Sequence, residues 1–560
     1  MDTRVTVNRL LGLVEGYASE VERMSGEFHR HLAEDSLDVL RAKLRGVNMA
    51  AADTLEKLRP FQPGLDGAAL SRFGEARLRA NAASLYEHML AGSFETSISF
   101  VESLSEELHP KARDAFRVKA CSCGVFFATL RRNPDSGMRV FTAMEEEPLS
   151  WELSTDRAMA AFNLFFSLVK AGRAEEAMPY YYLIVDHAET LRDYLAREGE
   201  LARLPVPVAA PYVGQRLVVR FYGPDFPFAL ARTSEPDFGQ PPDPDKLLEY
   251  LDTLLQMRFD AVRTLGVFLL LTDKSFMVKK LFTDLAAFCS TDSDCARLAL
   301  LGRDLVLMCC QTEEHVGDGS HYLGAVERFA RTPPAVTCAA EAGHQLIAAL
   351  ASRDRIREAV DIYRRLLRLH GPGDTDDWKA KSAASIITAF LERPGAKDLT
   401  LMEQVYQPLL TLHDSPVVWH CRLFVETNIL PFYLVLGDPG RISDVYGRIA
   451  GSPDETQTGL EMKLAASTNL VSYHAAGGRL EEARRHFTLI DIDRHREPPF
   501  LQNWARAAAA LSVGFYHCGE ETEAWLLASE IDRYSHVPEV EECLGRLRMI
   551  MGDMPPRTLH

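Results

Sequence analysis

Cysteine and histidine side chains are the residues of this chain whose types and spacing could hold a metal ion. Two groups could supply soft ligands: Cys121 with Cys123, and Cys309 with Cys310, His315 and His321. Structural zinc sites usually take their ligands in pairs, with about two to four residues between the cysteines of a pair, and two such pairs are needed. The tighter Cys121–Cys123 pair lies in an apolar segment that ends Gly-Val-Phe-Phe, which favours buried small residues. We therefore predict no metal site and no cofactor.

No common motif for catalysis is present in the sequence. A phosphate-binding loop, a dinucleotide-binding glycine pattern, a Gly-x-Ser-x-Gly nucleophile turn and a His-Glu-x-x-His zinc helix are all missing. His420 and His517 each precede a cysteine, but neighbouring residues of a helix point about 100° apart, so neither pair forms a catalytic dyad. Glutamate runs such as 145–147 fit solvated helix ends. We therefore predict no catalytic residue and a protein that is not an enzyme.

Length and charge narrow the classes of partner. The chain has 560 residues, 47% of them hydrophobic, whereas one compact core stops growing at roughly 250 to 300 residues. Acidic residues outnumber basic ones by 79 to 62, and the net charge of −17 disfavours nucleic acid and anionic lipid. The ten cysteines are scattered along the sequence, which predicts a cytoplasmic protein. The strongest apolar run covers only 265–271, which is too short to cross a membrane. The excess of 49 Arg over 13 Lys is typical of a GC-rich bacterial genome.

Amphipathic helices, with apolar residues three and four positions apart, fill nearly the whole sequence and recur as pairs. The clearest units begin with an apolar helix, pass through a turn with Gly or Asp, and continue into a glutamate-rich second helix. In four units a leucine lies thirteen residues before an alanine: Leu164 and Ala177, Leu346 and Ala359, Leu470 and Ala483, Leu511 and Ala524. This repetition predicts antiparallel helix pairs.

The pattern resembles the tetratricopeptide (TPR) repeat, in which a leucine of helix A, a glycine before helix B and a small residue of helix B let two helices pack closely. Weaker copies of the helix B marker fall at Ser97, Gly137, Val278, Ala325, Met402 and Val445. Most markers are about forty residues apart, more than the roughly 34 residues of a tetratricopeptide unit. The resemblance implies an all-α fold, an α-solenoid of antiparallel helix pairs with a period of about 40. Ordinary helical hairpins in an irregular bundle are the alternative.

One stretch, 204–243, lacks the helical pattern. It combines β-branched residues with several prolines, which predicts a short hairpin and an extended loop, either an insert or a linker. An enzyme or a small-ligand sensor with its site at this insert is the alternative function, and its polar groups would be Tyr212, Arg220 and Tyr222. The predicted organisation is long N-terminal helices in 1–70, helical repeats in 71–203, the β or loop insert in 204–243 and further repeats in 244–560.

The N-terminal segment carries an apolar stripe with alternating spacings of three and four residues. Its members are Val7, Leu10, Val14, Tyr17, Val21, Met24 and Phe28. A heptad stripe of this length predicts a long helix that pairs with another helix. Pairing within the chain is the favoured interpretation, and a coiled-coil dimer is the alternative.

The tetratricopeptide resemblance implies a protein- or peptide-binding scaffold or regulator without catalytic activity, because inward-facing polar residues of helix A bind peptides in that family. Asn163 and Asn469 directly precede the marker leucines of their units, and Arg506 stands where the family can carry a basic peptide-binding residue. These three are the predicted peptide-binding residues. The negative net charge favours a partner with a basic segment. RNA binding by a base-reading helical repeat, as in pentatricopeptide proteins, is a further alternative that the same charge opposes.

Overall fold

The computed structural model describes residues 3–30, 37–106, 110–144, 150–207, 243–392, 399–488, 490 and 497–552. Within these ranges every regular element is a helix and no strand is present. The all-α class predicted from the sequence is therefore confirmed for this part of the chain. The predicted hairpin, with Tyr212, Arg220 and Tyr222, lies outside the described residues.

The chain divides into two compact units, Met1–Cys309 and Cys310–His560. The α-helices of the first unit are α1 (Thr3–Arg30), α2 (Leu37–Leu58), α3 (Gly67–Leu90), α4 (Phe94–Glu106), α5 (Pro110–Leu130), α6 (Pro134–Thr142), α7 (Trp151–Lys170), α8 (Ala174–Arg197), α9 (Pro244–Leu269), α10 (Ser275–Phe288) and α11 (Asp292–Cys309). Those of the second unit are α12 (Gly319–Phe329), α13 (Pro333–Ser352), α14 (Ile356–Leu366), α15 (Gly373–Leu391), α16 (Leu399–Leu409), α17 (Pro416–Leu436), α18 (Pro439–Ala450), α19 (Gln457–Ala476), α20 (Leu480–Phe487), α21 (Pro498–His517), α22 (Glu521–Asp532) and α23 (Pro538–Met551). Short 3-10 helices cover Arg59–Gly64, Leu201–Arg203 and Val316–Asp318.

Helix boundaries follow capping signals that the sequence carries. The Ser415 side chain accepts a hydrogen bond from the backbone N–H of Val418 at 3.1 Å, and Pro416 occupies the first turn of α17. At the other end of α17, Gly437 has φ 66°, a left-handed conformation that favours glycine. These local signals set where α17 begins and ends.

Helices of each unit pack in a regular alternation. From α13 to α23, each odd-numbered helix contacts the next odd-numbered helix and also the even-numbered helix between them. The same alternation of contacts runs from α1 to α9 in the first unit. The leucine and the alanine of all four predicted pairs are buried, and each pair lies on two consecutive helices in contact with each other. The four predicted leucine and alanine pairs therefore belong to the buried core of their units.

Turns inside the helix pairs share one backbone geometry. In the four clear units the residue five positions before the marker alanine has positive φ: Gly172 (79°), Asp354 (68°), Gly478 (70°) and Gly519 (84°). Two weaker markers, Ser97 and Gly137, follow the same kind of residue, Gly92 (76°) and Arg132 (56°). At the first of the clear turns, the N–H of Gly172 donates to the Val169 carbonyl at 3.0 Å and that of Arg173 to the Leu168 carbonyl at 2.9 Å. This pair of bonds satisfies carbonyls at the end of a helix and lets the chain reverse.

The first half of the N-terminal stripe, from Val7 to Tyr17, packs within the chain, whereas the side chains of Val21 and Phe28 lie outside the described part of the structure. Helix α1 contacts α2 and α3, and Val7, Leu11 and Val14 are buried in a cluster with Phe73 and Ala76. Leu10 and Tyr17 pack against the edge of this cluster. The heptad pattern therefore marks a helix that finds its apolar partners in its own unit.

Candidate functional site

The second unit contains an open cleft bounded by three alternate helices, α19, α21 and α23. Its volume is about 640 Å³. Residues from α20 and α22 do not line it. Alternate helices pack side by side, so the side chains on their common face converge on one groove, which we call the α19–α21–α23 cleft.

Helical spacing explains which side chains reach the cleft. On each helix a series of lining residues recurs at intervals of three or four: Asn469, Ser472 and Ala476 on α19; Asn503, Arg506, Ala510, Val513 and His517 on α21; and Cys543, Leu547 and Ile550 on α23. Residues three and four apart share one face of a helix. Each helix therefore presents a single stripe to the cleft.

Small residues let α19 and α21 approach each other closely at the wall of the cleft. Its wall includes Ala475, Ala509 and Gly514. A Cβ atom on Gly514 would lie 3.1 Å from the Ala475 Cβ and 3.1 Å from Leu480 Cδ2, so only glycine allows the helices to approach this closely without adjustment. A side-chain bond also ties them, because Thr468 Oγ1 donates to the Asn503 carbonyl at 3.2 Å.

The polar groups of the cleft differ in how much hydrogen-bonding capacity they retain. The amide of Asn503 donates to the Pro499 carbonyl at 3.1 Å, and Ser472 Oγ donates to the Thr468 carbonyl at 2.9 Å. Among described residues, no hydrogen bond or ion pair engages the side chains of Asn469 and Arg506. Both side chains therefore keep their full hydrogen-bonding capacity for a ligand.

Charges in the cleft are basic. Arg506, Arg546 and His517 line it, and no Asp or Glu of the described chain does. Burial raises the pKa of the Cys543 thiol, while the positive charges of Arg506 and Arg546 oppose that rise. Both guanidinium groups therefore lie close enough to this one sulfur to influence it.

The structure brings two of the three predicted peptide-binding residues together. Asn469 is half-buried and Arg506 is exposed, and both line the cleft from adjacent helices. Asn163 is placed differently: it is fully buried in α7. The reason is that 160–169 of α7 are buried on every side of the helix, whereas α19 leaves part of its surface open. Asn163 therefore presents no surface to a peptide.

Several cleft residues were not identified by sequence reasoning. Asn503 lies three residues before Arg506 on the same face of α21, and this spacing was the available signal. Arg546 lies on α23, beyond the last recognised repeat marker, so no pattern pointed to it. Its proximity to Arg506 depends on how α21 packs against α23.

The cysteines considered as metal ligands have no surrounding set of ligands in the described residues, and Cys121, Cys123 and Cys309 are buried thiols. Burial raises the pKa of Cys121 to about 12 and that of Cys123 well above its usual value. Within the described ranges, no three His, Cys, Asp or Glu residues cluster closely enough to hold a metal ion.

None of the helices described here combines the length and apolar character needed to cross a lipid bilayer. The candidate site in 204–243 falls almost entirely outside the described residues. Comparison with known proteins adds no assignment: no protein family matches the chain, and no curated protein is significantly similar to it in sequence.

Proposed function

We propose that this chain is a cytoplasmic helical-repeat protein of the tetratricopeptide type that binds a protein or peptide in the α19–α21–α23 cleft and acts as a scaffold or regulator without catalysis of its own. The recurring helix pairs and the alternate-helix contacts support the repeat assignment. All ten cysteines are free thiols, which fits a reducing compartment. The observation that carries the proposal is the presence of Asn469 and Arg506 on one cleft without competing partners among described residues.

An extended peptide is the ligand that suits these groups. A carboxamide offers both a donor and an acceptor, so Asn469 can hydrogen-bond to a peptide backbone whatever its sequence. Asn503 retains its carbonyl oxygen for the same purpose, since its described bond uses the amide nitrogen. Alanine and glycine at the wall leave room for the backbone between these two residues.

Local charge indicates an acidic segment as the partner. The net charge of −17 favoured a basic partner, but charges more than about 10 Å away are largely screened at physiological salt. Within the cleft, the positive charges of Arg506 and Arg546 act at short range. Arg546 is 2.6 Å from Glu542, and both are exposed. An exposed pair contributes under about 1 kcal/mol, so a bound carboxylate can replace it.

The test compares peptides of equal length that are acidic, basic or neutral, with binding to the full chain measured by calorimetry. We expect the acidic peptide to bind most tightly, and Arg506→Glu to weaken its binding by about tenfold or more, as expected for a lost charge-assisted hydrogen bond. Arg533→Glu is the matched control, because Arg533 is exposed, lies in the same unit and does not line the cleft.

Asn469→Ala should weaken the binding of acidic and neutral peptides equally, because it removes a hydrogen bond to the backbone of the peptide. The proposal fails if the basic peptide binds best, or if Arg506→Glu and Arg533→Glu have equal effects.

A further inference from the structure

A second cavity in the same unit has a different chemistry from the cleft. It lies between α17, α18 and the segments that precede α17 and follow α18, and its volume is about 420 Å³. The lining residues that matter for its chemistry are Asp414, Trp419, Arg422, Glu426, Gly447 and Arg448. None of these residues lines the α19–α21–α23 cleft. We call this cavity the Trp419 pocket.

A buried carboxylate stands in the wall of the Trp419 pocket. Glu426 is only 1% exposed, and its described hydrogen bonds all end on Oε1, from Tyr406 Oη at 2.8 Å and Arg448 Nε at 2.6 Å. Oε2 is therefore left with acceptor capacity. Burial raises the pKa of Glu426, and its bonds to Arg448 and Tyr406 oppose that rise.

A donor lies next to this acceptor. Arg448 uses Nε for Glu426 and Nη2 for the hydroxyl of Tyr406, at 2.7 Å, so its described bonds leave Nη1 available. Arg422 is held in place by Asp414, with Nη1 3.2 Å from Oδ1. The pocket thus offers one buried acceptor beside one guanidinium donor.

Formal charges in the pocket cancel. Asp414 and Glu426 are balanced by Arg422 and Arg448. A cation would meet two guanidinium groups and an anion would meet two carboxylates, and a buried unpaired charge is costly. The balance favours a neutral molecule with its own donor and acceptor.

The apolar walls of the Trp419 pocket favour a flat ligand. Gly447 lies in the last turn of α18 and Gly451 directly follows the helix, and an added Cβ on Gly447 would meet nothing within 4 Å. Trp419 is half-buried and contributes an indole ring. A bare backbone wall and an aromatic face suit a flat ring, because stacking on an aromatic side chain is favourable for planar π systems.

We propose that the Trp419 pocket binds a neutral, planar heterocycle that carries an N–H donor next to a carbonyl acceptor, the pattern of a guanine or uracil base. The ring N–H donates to Glu426 Oε2, the carbonyl accepts from Arg448, and the ring lies against Trp419. Such a site adds small-molecule binding to a protein whose proposed function is peptide binding, and it depends on none of the cleft residues.

Calorimetry with the full chain tests the proposal with guanosine, uridine and 3-methyluridine as probes. We expect guanosine or uridine to bind in the micromolar to low millimolar range, and 3-methyluridine, which lacks the ring N–H, to bind at least about tenfold more weakly than uridine, as for loss of a hydrogen bond to a charged group.

Gly447→Leu fills the pocket without altering a charge and should abolish binding. Gly545→Leu is the matched control, because Gly545 is also helical, has nothing within 4 Å of an added Cβ and lies outside the pocket. Thermal unfolding checks that both variants fold. The proposal is overturned if neither guanosine nor uridine binds, if 3-methyluridine binds as well as uridine, or if Gly447→Leu retains the affinity of the Gly545→Leu control.

Discussion

The imidazole rings of His474 and His486 lie stacked, with their centroids 5.4 Å apart and their planes within 7° of parallel. The Nδ1 atoms of both rings are buried without a hydrogen-bond partner among described residues. Tyr446 packs edge-on against His486, with the ring centroids 5.0 Å apart. This contact joins α18, α19 and α20, and protonation of both rings would set two positive charges against each other.

Acid should weaken this part of the second unit. Burial lowers the pKa of both His474 and His486 from 6.5, and Arg479 and Arg485 add to the effect. The unfolded chain therefore binds more protons than the folded chain as the pH falls below about 6.5, and the free energy of unfolding falls with it. His486→Phe keeps a flat ring but cannot titrate, so its thermal midpoint should fall less between about pH 7.5 and pH 5 than that of the parent protein.

A matched variant separates this contact from the general effect of acid. His536 is exposed, so His536→Phe should leave the pH dependence of the thermal midpoint as it is in the parent protein. Equal slopes for the His486→Phe and His536→Phe variants would contradict the assignment. Burial lowers the pKa of His344 to about 4. His344 therefore also lowers the stability in acid, and it does so equally in the parent protein, in His486→Phe and in His536→Phe.

The repeated turn makes a prediction about glycine. Gly478 has φ 70° and nothing within 4 Å of an added Cβ, so Gly478→Ala introduces backbone strain without a steric clash. We expect a loss of about 1 to 2 kcal/mol in the free energy of unfolding. Gly545 has the same open surroundings but lies inside α23, so Gly545→Ala should add about 0.5 to 1 kcal/mol. Thermal midpoints that move in the same direction would refute this explanation of the turn.

A buried ion pair in the first unit predicts a larger loss of stability than the one expected for Gly478→Ala. Asp294 is fully buried, and its Oδ2 accepts from Arg192 Nη2 at 2.6 Å and from the backbone N–H of Thr291 at 3.0 Å. Asp294→Ala leaves a buried guanidinium without its carboxylate and should destabilise the protein by about 3 to 5 kcal/mol. Glu95→Ala removes an exposed pair with Arg139 and should cost under about 1 kcal/mol. Chemical denaturation measures both, and similar losses would contradict the importance of burial.

Close packing at Gly514 links stability to binding. Gly514→Ala places a Cβ 3.1 Å from Ala475 and from Leu480, and overpacking of this kind costs about 1 to 3 kcal/mol. Because Gly514 lines the cleft, the displaced helices should also lower the affinity for an acidic peptide. Calorimetry on the folded variant checks this, and an unchanged affinity would show that the spacing between α19 and α21 does not control the cleft.

Local sequence determined the helix pairs and their turns. The distance from Leu164 to Ala177 spans one helix end, one turn and one helix start, so every interaction that shapes it lies within a few residues. Gly172 can adopt positive φ at little cost, and the adjoining hydrogen bonds are backbone bonds. The sequence therefore carried enough information to predict the pairs, and it also placed Asn469 and Arg506 among the candidate binding residues.

Only the tertiary structure decided which candidates face a common site. Asn163 and Asn469 occupy the same position relative to their marker leucines, yet one is fully buried and the other lines a cleft. Arg546 joins Arg506 because α23 packs against α21, and Glu426 becomes part of a pocket because Tyr406 and Arg448 meet it from other helices. These relationships depend on contacts between helices far apart in the sequence, and the free energy of such contacts comes from packing rather than from the local pattern.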